Sequence, residues 1–250
     1  MNNESKKKQK IYNTWHKEAY QLNFKKDVKN LSFLNDNVLN YLHITSESRG
    51  KLLDVACGKG IFLKSVRDIN KQIKLFGTDI SNLAVNRAQE IVDAQFSVDD
   101  AENLSFRNSF FDYVTCLGGV EYFENPANGI QEIARVLKKD GTAIIFVPNL
   151  MFIGYIWLAL RNGAMPTHGG TNKDGEKIYD YTMEKFYTYQ GWLDTIRNGG
   201  LDVIGSYRYD YIGSTKYASK LLIALYNAIF YRFVPFYLAY SYFFVCKKSK

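Results

Sequence analysis

The positions in this sequence that could do chemistry are mostly carboxylates and glycines at the ends of apolar runs. Asp54 lies near the end of KLLDVA and is followed by Cys57, Gly58, Lys59 and Gly60 before a helical pattern resumes. Small residues there let the backbone turn tightly and bring amides close to a ligand, and the following helix N-terminus adds positive dipole character. The loop lacks both G-x-G-x-x-G and the G-x-x-x-x-G-K-[ST] phosphate loop, so neither a nicotinamide dinucleotide nor ATP is favoured. Asp79, in GTDIS, stands about 20 residues further on at the end of a second apolar run, where an acid can accept both hydroxyls of a ribose. Capping of the next helix is its other use, although Ser81 is better placed for that. Asp100, in DDAENL, follows a third run and can accept a hydrogen bond from an adenine amino group. A fourth segment, FDYVTCLGGVEY, carries Leu117, Gly118, Gly119, Glu121 and Tyr122.

The elements that must hold these residues alternate in a βαβ rhythm. Strands are predicted at 51–56, 73–78, 95–98, 111–117 and 142–148, with helices at about 60–68, 81–93 and 126–138. Ser81 and Pro126 are suited to helix starts. Residues 1–44 read as a helical N-terminal cover whose 31–43 stretch is amphipathic, and 45–148 as the half that binds a cofactor. Residues 149–200 read as a lid or acceptor region ending in a helical segment, 183–200. Residues 201–250 supply a strand at 201–209, a helix near 217–230, a turn at Pro235 and a last strand at 239–246, all within a single domain. The 250 residues are 46% hydrophobic and 23% charged, enough to bury a full core. Cys57, Cys116 and Cys246 form no disulfide framework or C-x-x-C pair, which suits a reducing, cytoplasmic setting, and the opening MNNESKKKQK does not read as a secretory signal.

Taken in this order, LLDVACGKG, Asp79, Asp100 and LGGVEY resemble the class I S-adenosylmethionine-dependent methyltransferases, in the small-molecule group that includes the ubiquinone and menaquinone biosynthesis enzymes. The resemblance covers roughly residues 11–148, and 185–246 more loosely. It implies an α/β, Rossmann-like fold: a seven-stranded, mostly parallel sheet with an antiparallel last strand, flanked by helices. It also implies S-adenosylmethionine as cofactor and S-adenosylhomocysteine as product. On that match Asp54 and the backbone of Ala56, Cys57, Gly58 and Gly60 receive the methionine end, with Ala56 where glycine is commoner. Asp79 binds the ribose hydroxyls, Ile80 packs beside the adenine, Asp100 with Ala101 reads its amine and ring edge, and Leu117 joins them at the end of the fourth strand. Tyr12, Trp15 and Tyr20 are candidates for a cover over the cofactor, with Tyr20 favoured. In the family the segment after the fourth strand usually ends in a glutamate and a histidine, whereas here Glu121 precedes Tyr122.

Methyl transfer is an in-line displacement on an activated methyl, so alignment in a dry pocket is the main task and a base is optional. For a hydroxyl acceptor an imidazole is the usual base. Of His16, His43 and His168, the last, in MPTHGGTNKDG, is best placed to close over an acceptor; Glu121, Tyr122 and Tyr181 are further candidates. No metal-ligand spacing and no nucleic-acid module is found. The expected partner is a small, amphipathic organic acceptor methylated on O, N or C. The alternatives are a non-catalytic interaction or regulatory protein of the same fold, and a methyltransferase for a nucleotide- or lipid-linked sugar, with Arg161, Lys173 and Lys177 meeting its phosphates. The formal charge of +7 is concentrated in residues 1–30, with eight lysines against Glu4, Glu18 and Asp27, and MFIGYIWLAL is too short to span a bilayer. Peripheral contact with a membrane is therefore an expectation, and a membrane span is not.

Overall fold

The computed structural model describes residues 3–19, 24–163, 184–210 and 233–249. Helices α1 (Asn3–Ala19) and α2 (Phe24–Tyr41) precede β1 (Lys51–Val55), α3 (Ile61–Ile69), β2 (Lys74–Asp79), α4 (Asn82–Ile91), β3 (Gln95–Val98) and β4 (Phe111–Leu117). A 3-10 turn at Val120–Tyr122 leads to α5 (Pro126–Val136), β5 (Leu137–Pro148), α6 (Ile153–Asn162), α7 (Tyr189–Asn198), β6 (Leu201–Tyr209) and β7 (Ser241–Lys248). The seven strands form one sheet in the order β3-β2-β1-β4-β5-β7-β6. β1 to β5 pair in parallel, while β7 runs antiparallel to both β5 and β6. The strand order reverses between β1 and β4, and in such sheets ligands bind outside the carboxyl ends at that switch point.

Both faces of the sheet are covered. On one, Ile130 and Ile133 of α5 and Trp192, Leu193 and Ile196 of α7 pack on Val114, Cys116 and Ile145. On the other, Leu34, Val38 and Leu39 of α2 and Phe62, Leu63 and Val66 of α3 pack on Leu52, Leu75 and Ile144. β7 shows why: Tyr242, Phe244 and Cys246 enter the first cluster and Phe243 and Val245 the second, the period-2 alternation of a strand buried on both sides.

Several local expectations shift. α5 stops at Val136 and β5 starts at Leu137, because KKDG is an irregular part of the strand and no free turn: Phe111 pairs with Leu137 and Tyr113 with Thr142. Of the segment expected to be helical from 183, residues 184–188 form no regular element, and the Thr188 side chain caps α7 by accepting from Gly191 N. The last strand begins at Ser241, two residues late, since a 3-10 turn (Phe236–Leu238) follows Pro235. The N-terminal lysines are no loose tail, for α1 begins at Asn3. The helix expected near 217–230 lies outside the described residues.

Candidate functional site

The loop after β1 is shaped by three left-handed residues, Ala56 (φ 54°), Gly58 (φ 52°) and Gly60 (φ 71°). Only Ala56 carries a Cβ, and a Cβ on Gly119 would stand 2.7 Å from it, so Gly119 makes the room. The loop folds onto its neighbours: Cys57 N donates to Thr78 O (2.8 Å), Gly58 N to Asp79 Oδ2 (2.9 Å) and Gly60 N to Cys57 O (2.9 Å). Three of its amides are thus committed to the protein itself.

A cavity of about 260 Å³ opens at the switch point. Of the residues singled out in the sequence, Asp54, Ala56, Cys57, Gly58, Asp79, Ile80, Asp100, Ala101, Leu117 and Tyr122 line it. Gly60 turns the chain behind it, Glu121 lies just beyond its wall, and Tyr20, His168 and Tyr181 fall outside the described residues. Asp54 Oδ1 accepts from Thr115 Oγ1 at 2.7 Å, and the carboxyl is buried on the cavity wall. Burial, assisted by the nearby charge of Asp79 and opposed by the Thr115 bond, pushes the Asp54 carboxyl up to about 7. Asp79 Oδ1 accepts from Ser81 N at 2.9 Å; burial raises its carboxyl to about 6 against the bonds from Ser81 and Gly58. Two buried carboxyls in one cavity suit a ligand rich in hydroxyl and ammonium donors.

Helix α1 closes over these groups. Ser5 Oγ donates to Asp100 Oδ2 (2.7 Å), and Asp100 Oδ1 accepts from Glu102 N (3.1 Å). Lys8 Nζ bonds Glu102 Oε2 at 2.9 Å and lies 3.0 Å from Glu124 Oε2. Burial opposes the Lys8 charge, but those carboxylates hold its ammonium above the ordinary value. Tyr12 Oη donates to Tyr122 O at 3.1 Å, and Asn13 Oδ1 accepts from Ser81 Oγ at 2.8 Å. Of the aromatic cover candidates, Tyr12 lines the cavity, while the Trp15 side chain and Tyr20 lie outside the described residues. Ser5 and Lys8 went unremarked in the sequence, although positions 5, 8 and 12 share a helix face. His43 lies in the turn after α2, in the left-handed region (φ 53°) and exposed.

Beyond Gly118 the site turns phenolic and acidic. Lys185 N donates to Glu121 O (2.8 Å), drawing residues 184–188 alongside the 3-10 turn, and Glu184 reaches the cavity. Tyr155 of α6 and Tyr240 share a hydrogen bond, and Phe186 packs edge-on against Tyr155.

Residues 53–145 match the family described as Methyltransferase domain. That stretch is similar to a methyltransferase domain. Over 163 residues the chain is 29% identical to a demethylmenaquinone methyltransferase of Chlorobaculum tepidum, covering 62% of this chain and 66% of that one. A ubiquinone/menaquinone biosynthesis C-methyltransferase of Geotalea uraniireducens is 32% identical over 132 residues, covering 48% and 56%. The matches thus span about three fifths of the length of these curated relatives. Among solved structures, a methyltransferase of Thermotoga maritima described as a possible histamine N-methyltransferase superposes with a TM-score of 0.64 at 13% identity, covering 96% of this chain and 100% of that one. At that identity the likeness speaks for the fold alone.

A domain of that family implies S-adenosylmethionine as cofactor. The cavity suits such a molecule: the buried carboxyls of Asp54 and Asp79 are acceptors for ammonium and hydroxyl donors, and Phe62, Ile80 and Leu117 give apolar walls for a ring.

Proposed function

We propose that the chain is an S-adenosylmethionine-dependent methyltransferase acting on a small, amphipathic organic acceptor. The observation that carries this reading is the convergence of Asp54, Asp79, Ile80 and Leu117 on one cavity at the carboxyl ends of β1, β2 and β4. When bound, the cofactor supplies a methyl group already activated by positive sulfur. Asp79 accepts the ribose hydroxyls, and Asp54 takes the ammonium of the methionine end beside the loop of Ala56, Cys57, Gly58 and Gly60. Ile80 packs on the adenine, and Asp100 and Ala101 meet its edge once Asp100 shares or gives up its bond to Ser5. Tyr12, and Tyr20 with it, cover the bound group and exclude water. Titration calorimetry with S-adenosylmethionine and S-adenosylhomocysteine tests this. Asp79→Ala should weaken both by roughly tenfold or more, since a charged hydrogen bond is worth about 1.5–3 kcal/mol. Unchanged affinity removes Asp79 from the site, and no binding by the wild type favours a non-catalytic protein of this fold.

Contact with an anionic membrane surface is the second part of this reading. No helix among the described residues is long and apolar enough to cross a bilayer. The outer face of α6 nevertheless exposes Trp157 (55%) and Leu160 (82%), with the Arg161 guanidinium 5.4 Å from the Trp157 ring centre. Lys8 is turned inward to Glu102, while Lys6, Lys7 and Lys10 of α1 remain exposed. Wild-type protein should sediment with phosphatidylserine vesicles and Trp157→Ser/Leu160→Ser should not; equal sedimentation of the two counts against this anchor. The three cysteines, all free and buried, suit a cytoplasmic setting.

A further inference from the structure

Glu121, on the 3-10 turn after β4, is 5% exposed, and its Oε2 is buried without a hydrogen-bond partner among the described residues. Buried carboxyl oxygens are nearly always satisfied in folded proteins, so one left open awaits a visiting donor. Among the described residues, the ionisable groups that face it come from five directions: Glu184 from the irregular stretch before α7, Tyr12 from α1, Tyr155 from α6, Tyr240 before β7 and Cys116 from β4. None of these is a cation. The nearby Lys185 ammonium donates to Phe123 O at 2.6 Å. Burial first, and the charge of Glu184 second, push the Glu121 carboxyl up to about 8.

The carboxyl is also within reach of the cavity. Gly118, a wall residue, has φ +77°, and a Cβ there would stand 3.7 Å from Glu121 Oε1. With no side chain at Gly118, Glu121 Oε1 stands within van der Waals range of the space beside a wall residue of the cavity. Tyr12, Tyr122 and Glu184, which surround Glu121, line the same cavity. A phosphate-bearing acceptor would meet two carboxyls at this end.

We propose that Glu121 is a catalytic residue that receives the acceptor's proton, and that the acceptor reacts through a neutral hydroxyl or amine. This rests on the methyltransferase reading above. In the step, a lone pair of the acceptor oxygen or nitrogen forms the bond to the methyl carbon. The carbon–sulfur bond breaks with its pair going to sulfur, which becomes a neutral thioether. The acceptor's proton passes to the Glu121 carboxylate, leaving a neutral ether or amine and a protonated Glu121, which then loses that proton to solvent.

The test uses the full chain, wild type and Glu121→Gln, with catechol as the hydroxyl probe and benzylamine as the amine probe, over roughly pH 6 to 10. Three results are expected. S-adenosylhomocysteine binds both proteins with affinities within about twofold. Wild-type turnover of at least one probe climbs to a plateau near pH 8, while Glu121→Gln is roughly 100-fold slower and its rate keeps rising with the probe's own ionisation. The infrared spectrum of the wild type, without any probe, shows a protonated-carboxyl band that titrates near pH 8 and is missing from the variant. The proposal is overturned by a variant within about threefold of wild type, by a missing band, or by no turnover of either probe when S-adenosylhomocysteine binds. Failure of the wild type to bind S-adenosylhomocysteine overturns the methyltransferase reading as well.

Discussion

The two ends of the site are built on different foundations. At the cofactor end each acid sits at or just after a strand: Asp54 in β1, Asp79 closing β2, Asp100 two residues past β3. Parallel ladders fix those strand ends, and backbone amides hold the side chains, as Gly58 and Ser81 hold Asp79. At the acceptor end Glu121, Tyr155, Glu184 and Tyr240 come from a 3-10 turn, a helix, an irregular stretch and the residue before β7. A few single bonds join them, such as Lys185 N to Glu121 O, and Asn149 Nδ2 to Tyr237 O and Ala239 O. A sheet edge repeats one geometry and can serve one cofactor. A site pieced together from connections can be rebuilt for another acceptor without disturbing the sheet.

The sharpest way to break this contrast is at the support beneath the acceptor end. Trp192 of α7 is fully buried and its Nε1 donates to Pro148 O at 2.7 Å. Trp192→Ala should cost about 3–5 kcal/mol in urea unfolding. A loss below about 1 kcal/mol would mean that α7 is not part of the same cooperative unit as the sheet.

A second, smaller effect belongs to the cofactor end. The Asp54 carboxyl, at 3.8 unperturbed and about 7 when folded, holds its proton in the native state over a range where the unfolded chain has released it. Its contribution is thus full below about pH 4 and lost as pH rises towards 7. Wild type should lose stability relative to Asp54→Asn across that window, as read by thermal unfolding at fixed ionic strength; parallel curves would show an ordinary, solvated acid. The smallest effect is expected at Ala56, where glycine removes the left-handed strain and should change stability by no more than about 1 kcal/mol, in the stabilising direction. A clear loss in chemical denaturation would show that the methyl group packs usefully.

The cofactor end was largely legible in the sequence. β3, β4 and β6 fall where their apolar runs place them, and Ser81 caps α4 as its position suggests, because these features are local. The start of β5 was not, since Lys138, Lys139, Asp140 and Gly141 have the composition of a turn and only pairing with β4 draws them into the strand. The roles of Ser5 and Lys8 were hidden within a run of lysines that reads as a solvated tail. Glu184 carried no signal, because its place depends on residues 184–188 docking against Glu121, a contact made by backbone atoms of any sequence. Glu121 was visible as a candidate by position, but its unsatisfied oxygen is a property of the packed molecule.

Ala56 and Gly119 are 63 positions apart in the chain, yet they share a space that holds one methyl group. A side chain at 119 would press on the Ala56 Cβ at 2.7 Å and on Cys116 Sγ at 3.1 Å. The order of mutations is therefore constrained: position 119 can grow only after 56 has shrunk to glycine, and a lineage that keeps alanine at 56 keeps glycine at 119. Descendants of this sequence should carry the two as a linked pair, with one of the four small-or-large combinations missing.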